Sequence, residues 1–136
     1  MPSKPGAVVS REELMLLQAG AMSERQLQTH VLEYARQRGW RSVHFRTART
    51  KTGWTTAVEG DGVGFPDMVL VRAGRLVFAE LKSQKAPAPK DEQLAWLNDL
   101  YQVEARAAAA GLPYLINAHI WRPIDYLDGT IEGLLR

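Results

Sequence analysis

Residues 65–82, FPDMVLVRAGRLVFAELK, contain two short apolar runs that are separated only by the Ala-Gly pair at 73–74. Two apolar runs joined by two residues of this kind are typical of a β-hairpin with a tight turn. If 73–74 form the loop, Arg72 pairs with Arg75, and the register of the two strands is fixed outward from that pair. This hairpin is the strongest constraint on the fold, because it aligns both ends of the two strands.

The same register places Asp67 opposite Glu80 and, by strand alternation, puts Lys82 on the face used by Glu80. Two carboxylates directly opposite one another in a sheet repel. A Mg²⁺ or Mn²⁺ ion would offset that repulsion, since such cations bind one or two carboxylates together with water and phosphate oxygens. A metal there acidifies water and stabilises charge on a phosphodiester, and a nearby ammonium orients or deprotonates the water. Taken singly, Asp67 also fits an ordinary turn acid and Lys82 a solubilising charge at a strand end.

The chain of 136 residues suits one domain with a real core. It has no apolar run of about 18 residues, so no membrane span is expected. Its first residues lack the basic-then-apolar pattern of a secretory signal, and it contains no cysteine. Disulfides and thiolate zinc sites are therefore excluded, and a cytoplasmic location is expected.

A basic stretch distinguishes the middle of the chain, because no acid occurs between Glu33 and Glu59 although the net charge is only +2. Its basic residues are Arg36, Arg38, Arg41, Arg46, Arg49 and Lys51. Such a stretch indicates a nucleic-acid partner or an ordinary solvated loop. Arg46, Arg49 and Lys51 are the best candidates for phosphate contacts, which set affinity and not sequence choice. His44 is either a further phosphate contact or a structural histidine.

The pattern of apolar residues, caps and turn residues predicts an α/β fold. The predicted helices cover about 11–19, 24–38 and 91–110, with a short helix near the end of the chain. The predicted strands cover 41–48, 68–71, 75–82 and 112–121, the last one split or bulged near 117–118. Residues 47–64 are predicted to form a long loop.

Glu24 opens the second predicted helix, directly after the Ser23 cap. It lies on the same helical stripe as three apolar residues, Leu27, Val31 and Ala35. Because that stripe should face the core, Glu24 is predicted to point along the core-facing side and not out to water. The alternative is an acid that only complements the helix dipole.

The segments FPD (65–67) and ELK (80–82) resemble the PD-(D/E)xK phosphodiesterase motif. Further segments follow in order: SERQLQTHVLEYARQRGW (23–40), VHFR (43–46), GWTTAVEGDGVGFPD (53–67), EQLAWLNDL (92–100) and WRP (121–123). Together, over about residues 23–125, they resemble the VRR-NUC family, the virus-type replication-repair nuclease domain.

This resemblance implies a restriction-endonuclease-like core, in which a central mixed β-sheet (a β-meander plus a further strand) is flanked by helices. It implies a Mg²⁺- or Mn²⁺-dependent endonuclease that cuts duplex or branched DNA as a homodimer in a bacterial or phage-infected cell. By position, Asp67, Glu80 and Lys82 match the central triad and Glu24 the acid of the first helix. Gln93 matches a glutamine beside the active site, and the Leu81 carbonyl is an extra candidate metal ligand.

The predicted nuclease domain covers 23–136, after an N-terminal extension, 1–22, that contains a short helix. Two other functions are left open by the sequence. The chain could be a non-catalytic module that binds structured DNA, or a subunit-interaction domain whose acids form salt bridges. Cleavage should vanish on chelation, whereas binding alone should survive chelation and weaken with salt.

Overall fold

The computed structural model describes residues 8–45, 48–50, 53–55 and 60–136, and of 48–50 and 53–55 it describes the backbone only. Its helices are α1 (Arg11–Ala21), α2 (Glu24–Gln37), α3 (Asp91–Ala109), α4 (Pro123–Leu127) and α5 (Thr130–Leu135). Its strands are β1 (Arg41–His44), β2 (Ala48–Thr50), β3 (Gly53–Thr55), β4 (Met68–Arg72), β5 (Arg75–Leu81) and β6 (Ile116–Trp121). The three longer predicted helices are confirmed to within two residues.

The central sheet has four strands in the order β1-β4-β5-β6. The pairs β1–β4 and β4–β5 are antiparallel, whereas β6 runs parallel to β5 after the crossover through α3. The predicted α/β architecture, with a mixed sheet and flanking helices, is therefore confirmed. The parallel pair places the C-terminal ends of β5 and β6 at one edge of the sheet.

Two predictions about strands are wrong. The predicted loop at 47–64 contains β2 and β3, which pair with each other in a separate sheet. Each has only three residues, too few for an alternating pattern to be seen in the sequence. β6 is continuous and not split. The side-chain amide of Asn117 donates to Glu104 and to the main-chain oxygen of Pro113, so this polar residue fits within the strand.

The β4–β5 hairpin has the predicted register, with Arg72 paired with Arg75. Both loop residues, Ala73 and Gly74, have positive φ, at 48° and 79°. This is the requirement of a two-residue type I′ turn, whose twist matches that of the flanking strands. The register continues outward without a bulge and therefore controls what lies at the far end of the hairpin.

The core lies between α2 and one face of the sheet. The predicted stripe Leu27, Val31 and Ala35 is fully buried there. It packs in one cluster with buried residues of the sheet and of α5, namely Met68, Leu70, Val77, Ala79, Leu81, Trp121, Ile131 and Leu135. This packing fixes the first turn of α2 close to the ends of β4 and β5.

The remaining helices cover the flanks of this core. α3 packs on β6, α1 packs on α4, and α4 also contacts α2 and α5. The single short terminal helix that the sequence predicts is in fact two, α4 and α5. Within the described parts of the chain, no helix is both long and apolar enough to cross a membrane.

Gly64 lies in the segment before β4, where its backbone closely approaches α3. Its φ is +87°, and a Cβ atom there would lie 2.5 Å from the backbone carbon of Glu92. We expect Gly64→Ala to lower the free energy of unfolding by about 2–3 kcal/mol, because it combines strain at positive φ with overpacking against backbone. Urea denaturation measures the change.

The matched control for this glycine is Gly133→Ala. Gly133 lies inside α5, where an added Cβ meets nothing within 4 Å. That substitution should raise the free energy of unfolding by about 0.5–1 kcal/mol. Equal effects of the two substitutions would contradict the close approach of Gly64 to α3.

Candidate active site

Asp67 is held by two backbone contacts where β4 begins. The backbone N–H of Phe45 donates to the main-chain oxygen of Asp67 at 2.8 Å. The carboxylate atom Oδ2 accepts a hydrogen bond of 3.0 Å from the backbone N–H of Leu81. Asp67 is therefore fixed against the last residues of β5, as the predicted register requires.

An aromatic cluster anchors the residues that lead into Asp67. The ring of Phe65 meets the rings of Phe45, Phe78 and Trp96 edge-on, with centroids 5.6, 5.9 and 4.9 Å apart. These contacts tie the segment to the residue that follows β1, to β5 and to α3. Because Pro66, which follows, is fully buried, the backbone just before Asp67 has little freedom to move.

Glu80 is the buried acid of the site, with only 2% of its surface exposed. Its Oε1 atom accepts a 2.8 Å hydrogen bond from the side-chain amide of Gln93 and lies 4.0 Å from the Nζ atom of Lys82. Its Oε2 atom is buried and has no hydrogen-bond partner among the described residues. Burial first, and then the charge of Asp67, raise the pKa of Glu80 to about 8, against the opposing effect of Lys82.

Gln93 connects the acid and the lysine. Its amide nitrogen donates to Glu80, while its Oε1 accepts from Nζ of Lys82 at 3.3 Å. The same oxygen accepts a 2.9 Å hydrogen bond from the backbone N–H of Lys90, the N-cap residue of α3. Gln93 thus caps the helix and orients both charged groups of the site.

Glu24 lies at the periphery of this cluster. It is the first residue of α2 and is exposed to solvent. The prediction that Glu24 does not point out to water is therefore wrong. It precedes the buried stripe by a turn, and burial of the stripe begins only at Leu27. Partial burial of its carboxyl group and the charge of Asp67 raise the pKa of Glu24, and Lys82 lowers it. Glu24 therefore shares the electrostatic field of the site, and no hydrogen bond joins it to either acid in the described part of the chain.

A pair of side chains beside the site was not foreseen. The amide nitrogen of Gln28 and Nδ1 of His44 are 3.1 Å apart. His44 is paired with Met68 across β1 and β4, so it lies next to the Asp67 end of the sheet. The available signal was the position of Gln28 one helical turn after Glu24, but the strand that carries His44 could not be docked on α2 from sequence.

The other three predicted phosphate contacts lie in or beside the residues that the structure does not describe. Arg46 and Lys51 lie outside the described residues, and Arg49 lies in β2, where only the backbone is described. Their role in binding DNA stays a prediction.

The site residues fit a hard divalent cation. Among the described residues no three histidine or acidic side chains are grouped closely enough to hold a metal. Mg²⁺ needs only one or two carboxylates, because water and substrate oxygens supply the remainder of its shell. The buried Oε2 of Glu80, which lies beside Asp67 and has no partner in the part of the chain that the structure describes, requires a proton or a cation. Asp67 and Glu80, with the Leu81 carbonyl adjacent in the chain, therefore provide a suitable donor set.

A separate cleft of about 490 Å³ lies beside α3. It is lined by Gly60, Asp61, Val63, Glu92, Ala95, Trp96 and Asp99. It includes none of the triad residues, and its three acids would repel phosphate. The candidate reaction site is therefore the carboxylate cluster and not this cleft.

Comparison with known proteins adds no family assignment. No protein-family model matches the chain, and no curated protein matches it.

Proposed function

We propose that the chain is a Mg²⁺- or Mn²⁺-dependent DNA endonuclease that hydrolyses phosphodiester bonds in branched or otherwise structured DNA. The observation that carries this proposal is the buried Glu80 beside the partly buried Asp67. Among the described residues, Oε2 of Glu80 has no partner, whereas Oε1 is contacted by Gln93 and Lys82. A purely structural acid at position 80 gains nothing from burial beside Asp67, because burial and the charge of Asp67 both raise the cost of ionising Glu80.

The proposed roles follow from the contacts. A metal held by Asp67, Glu80 and the Leu81 carbonyl would supply an acidified water and charge stabilisation at the phosphate. Lys82, with 18% of its side chain exposed, would present its ammonium to the attacking water or to the developing phosphate charge. Gln93 would hold Lys82 and Glu80 in their relative positions, and Glu24 would assist directly or through water.

The resemblance to the VRR-NUC family supports the same proposal. A β-meander followed by a parallel strand, with the acids at the start of β4 and the end of β5, is compatible with the restriction-endonuclease-like core that the family pattern implies. The proposed partner is DNA, either duplex or branched. We also propose that the protein acts as a homodimer.

The direct test incubates purified protein with labelled duplex, flap, splayed-arm and four-way DNA in Mg²⁺, Mn²⁺ or EDTA. The proposal requires cutting that depends on the metal. Stable DNA binding without cutting in any metal would favour the rival, a non-catalytic DNA-binding module. Absence of specific DNA affinity at moderate salt would favour a subunit-interaction domain.

Gln93→Ala should lower the cleavage rate by about 10- to 100-fold, a typical cost of losing a residue that orients metal ligands. The amide that holds Glu80 and the acceptor that holds Lys82 are lost together. Initial rates at saturating Mg²⁺ measure the effect.

Gln102→Ala is the matched control, because Gln102 is an exposed glutamine of the same helix. It should cleave like the native chain. Equal rates for the two variants would show that Gln93 is only a helix cap.

A further inference from the structure

Four arginines lie at the edge of the sheet that is opposite to the carboxylates. Arg41 begins β1, Arg72 ends β4 and Arg75 begins β5. Arg38 follows α2 and accepts, through its main-chain oxygen, a 2.9 Å hydrogen bond from Nη1 of Arg72. We call these four residues, Arg38, Arg41, Arg72 and Arg75, the arginine edge.

No acidic side chain of the described residues forms an ion pair with this edge. Within the described ranges, the ion pairs are Arg36 with Glu33 and Lys82 with Glu80, and neither involves the arginine edge. Arg72 and Arg75 donate to main-chain oxygens of the last residues of the chain, Leu134, Leu135 and Arg136. The oxygens of Leu134 and Leu135 are neutral carbonyls, which satisfy hydrogen bonds without cancelling a charge, so Arg75 still contributes a positive potential at the surface.

The inner arginines are rigidly placed. The guanidinium of Arg72 lies 4.6 Å from the ring centroid of Trp40, and that of Arg75 lies 5.2 Å from both Trp40 and Tyr114. Tyr114 itself is 61% exposed. The guanidinium groups of Arg72 and Arg75 are already ordered, so little of their side-chain entropy remains to be lost on binding. Such an arrangement suits a polyanionic partner.

The negative groups near this edge offset only part of that charge. Glu33 is occupied by Arg36, and Glu132 lies on α5, whose end the arginines contact. The C-terminal ends of α2 and α5 also point there and contribute partial negative charge. The exposed arginines Arg38 and Arg41 make no ion pair or side-chain hydrogen bond with described residues, so their donors are available to a partner.

We infer that the arginine edge is a second phosphate-binding surface that holds the same DNA molecule away from the reacting bond. The seven residues of β5 span about 20 Å at about 3.3 Å per residue, which corresponds to about six base pairs of duplex. This inference rests on the proposed DNA substrate. It adds that a productive substrate has a duplex arm long enough to reach both edges.

The test is DNA binding in EDTA, where cleavage does not interfere. Fluorescence anisotropy would follow a 30-base-pair duplex across a salt series for the native chain, Arg41→Gln and the double variant Arg38→Gln with Arg41→Gln. We expect the double variant to bind at least ~10-fold more weakly, with a slope of log affinity against log salt about 2 less negative. Arg11→Gln is the control, since Arg11 is exposed at the start of α1.

Binding and slopes equal to those of Arg11→Gln would overturn the inference, as would an absence of any DNA binding by the native chain. Arg41→Gln alone guards against misfolding, because Arg41 has no described side-chain contact to lose, and melting curves verify each variant. A native chain that never cuts, but whose binding depends on Arg38 and Arg41, would defeat the nuclease proposal and leave this inference standing. Normal cutting by a double variant that also binds like the native chain would support the nuclease proposal and overturn the inference about the arginine edge.

Discussion

Asp67→Asn should cleave DNA about 10³-fold more slowly than the native chain and still bind it. The substitution preserves the shape of the side chain and removes the charge that, with Glu80, would hold the metal. A loss of this size corresponds to about 4 kcal/mol of transition-state stabilisation, which is ordinary for the removal of one electrostatic group at a reacting centre. Single-turnover cleavage measures it, and anisotropy in EDTA measures binding separately.

Asp99→Asn is the matched control for this substitution. Asp99 is an exposed aspartate of α3 that lies in the acidic cleft and not at the carboxylate pair. Its variant should cut at the native rate. If Asp67→Asn also cuts at the native rate, the carboxylate pair does not perform the reaction, and any observed nuclease activity comes from elsewhere.

Glu80→Gln should stabilise the metal-free protein at pH 8 and abolish cleavage. The folded-state pKa of Glu80 is about 8 against an ordinary value of 4.5. Between these values the folded chain retains a proton that the unfolded chain has released, so the free energy of unfolding falls as pH rises. Each pKa unit corresponds to about 1.4 kcal/mol, so the loss across this window is on the order of a few kcal/mol.

Urea denaturation in EDTA at pH 5, 6.5 and 8 tests this prediction. The native chain should weaken steadily over the series, whereas Glu80→Gln, which has no proton to lose at that position, should show a flatter profile. Mg²⁺ added at pH 8 should restore stability to the native chain and leave Glu80→Gln nearly unchanged. Parallel pH profiles for the two proteins would show that Glu80 is not held protonated by its surroundings.

The sequence was sufficient for the features that local rules control. The turn at 73–74 determined the register, and the register brought Asp67 to the end of β5, where its carboxylate accepts from Leu81. The caps at Ser10 and Ser23 began α1 and α2, and the apolar stripe of α2 became buried. Each of these follows from a local pattern, namely a two-residue turn, a helix cap or the spacing of apolar residues along one helix.

What the sequence missed depends on distant parts of the chain meeting. Gln28 and His44 are 16 positions apart and meet only after α2 docks on the sheet. Trp40 donates through its indole N–H to the oxygen of Leu135, 95 positions away. Glu24 was assigned to the buried side of α2 from helical spacing alone. Helical spacing gives the direction of a side chain around the helix axis, but it does not show how far along the helix the sheet covers that side.

Gln93 has a consequence for how this protein would lose activity. One oxygen of Gln93 closes the first turn of α3 and holds Lys82, while its nitrogen holds Glu80. Fraying of that single turn would separate the charged groups while the core between α2 and the sheet stays folded. Inactivation on warming should therefore precede global melting, and amide exchange at the start of α3 should follow the loss of activity more closely than exchange in β4.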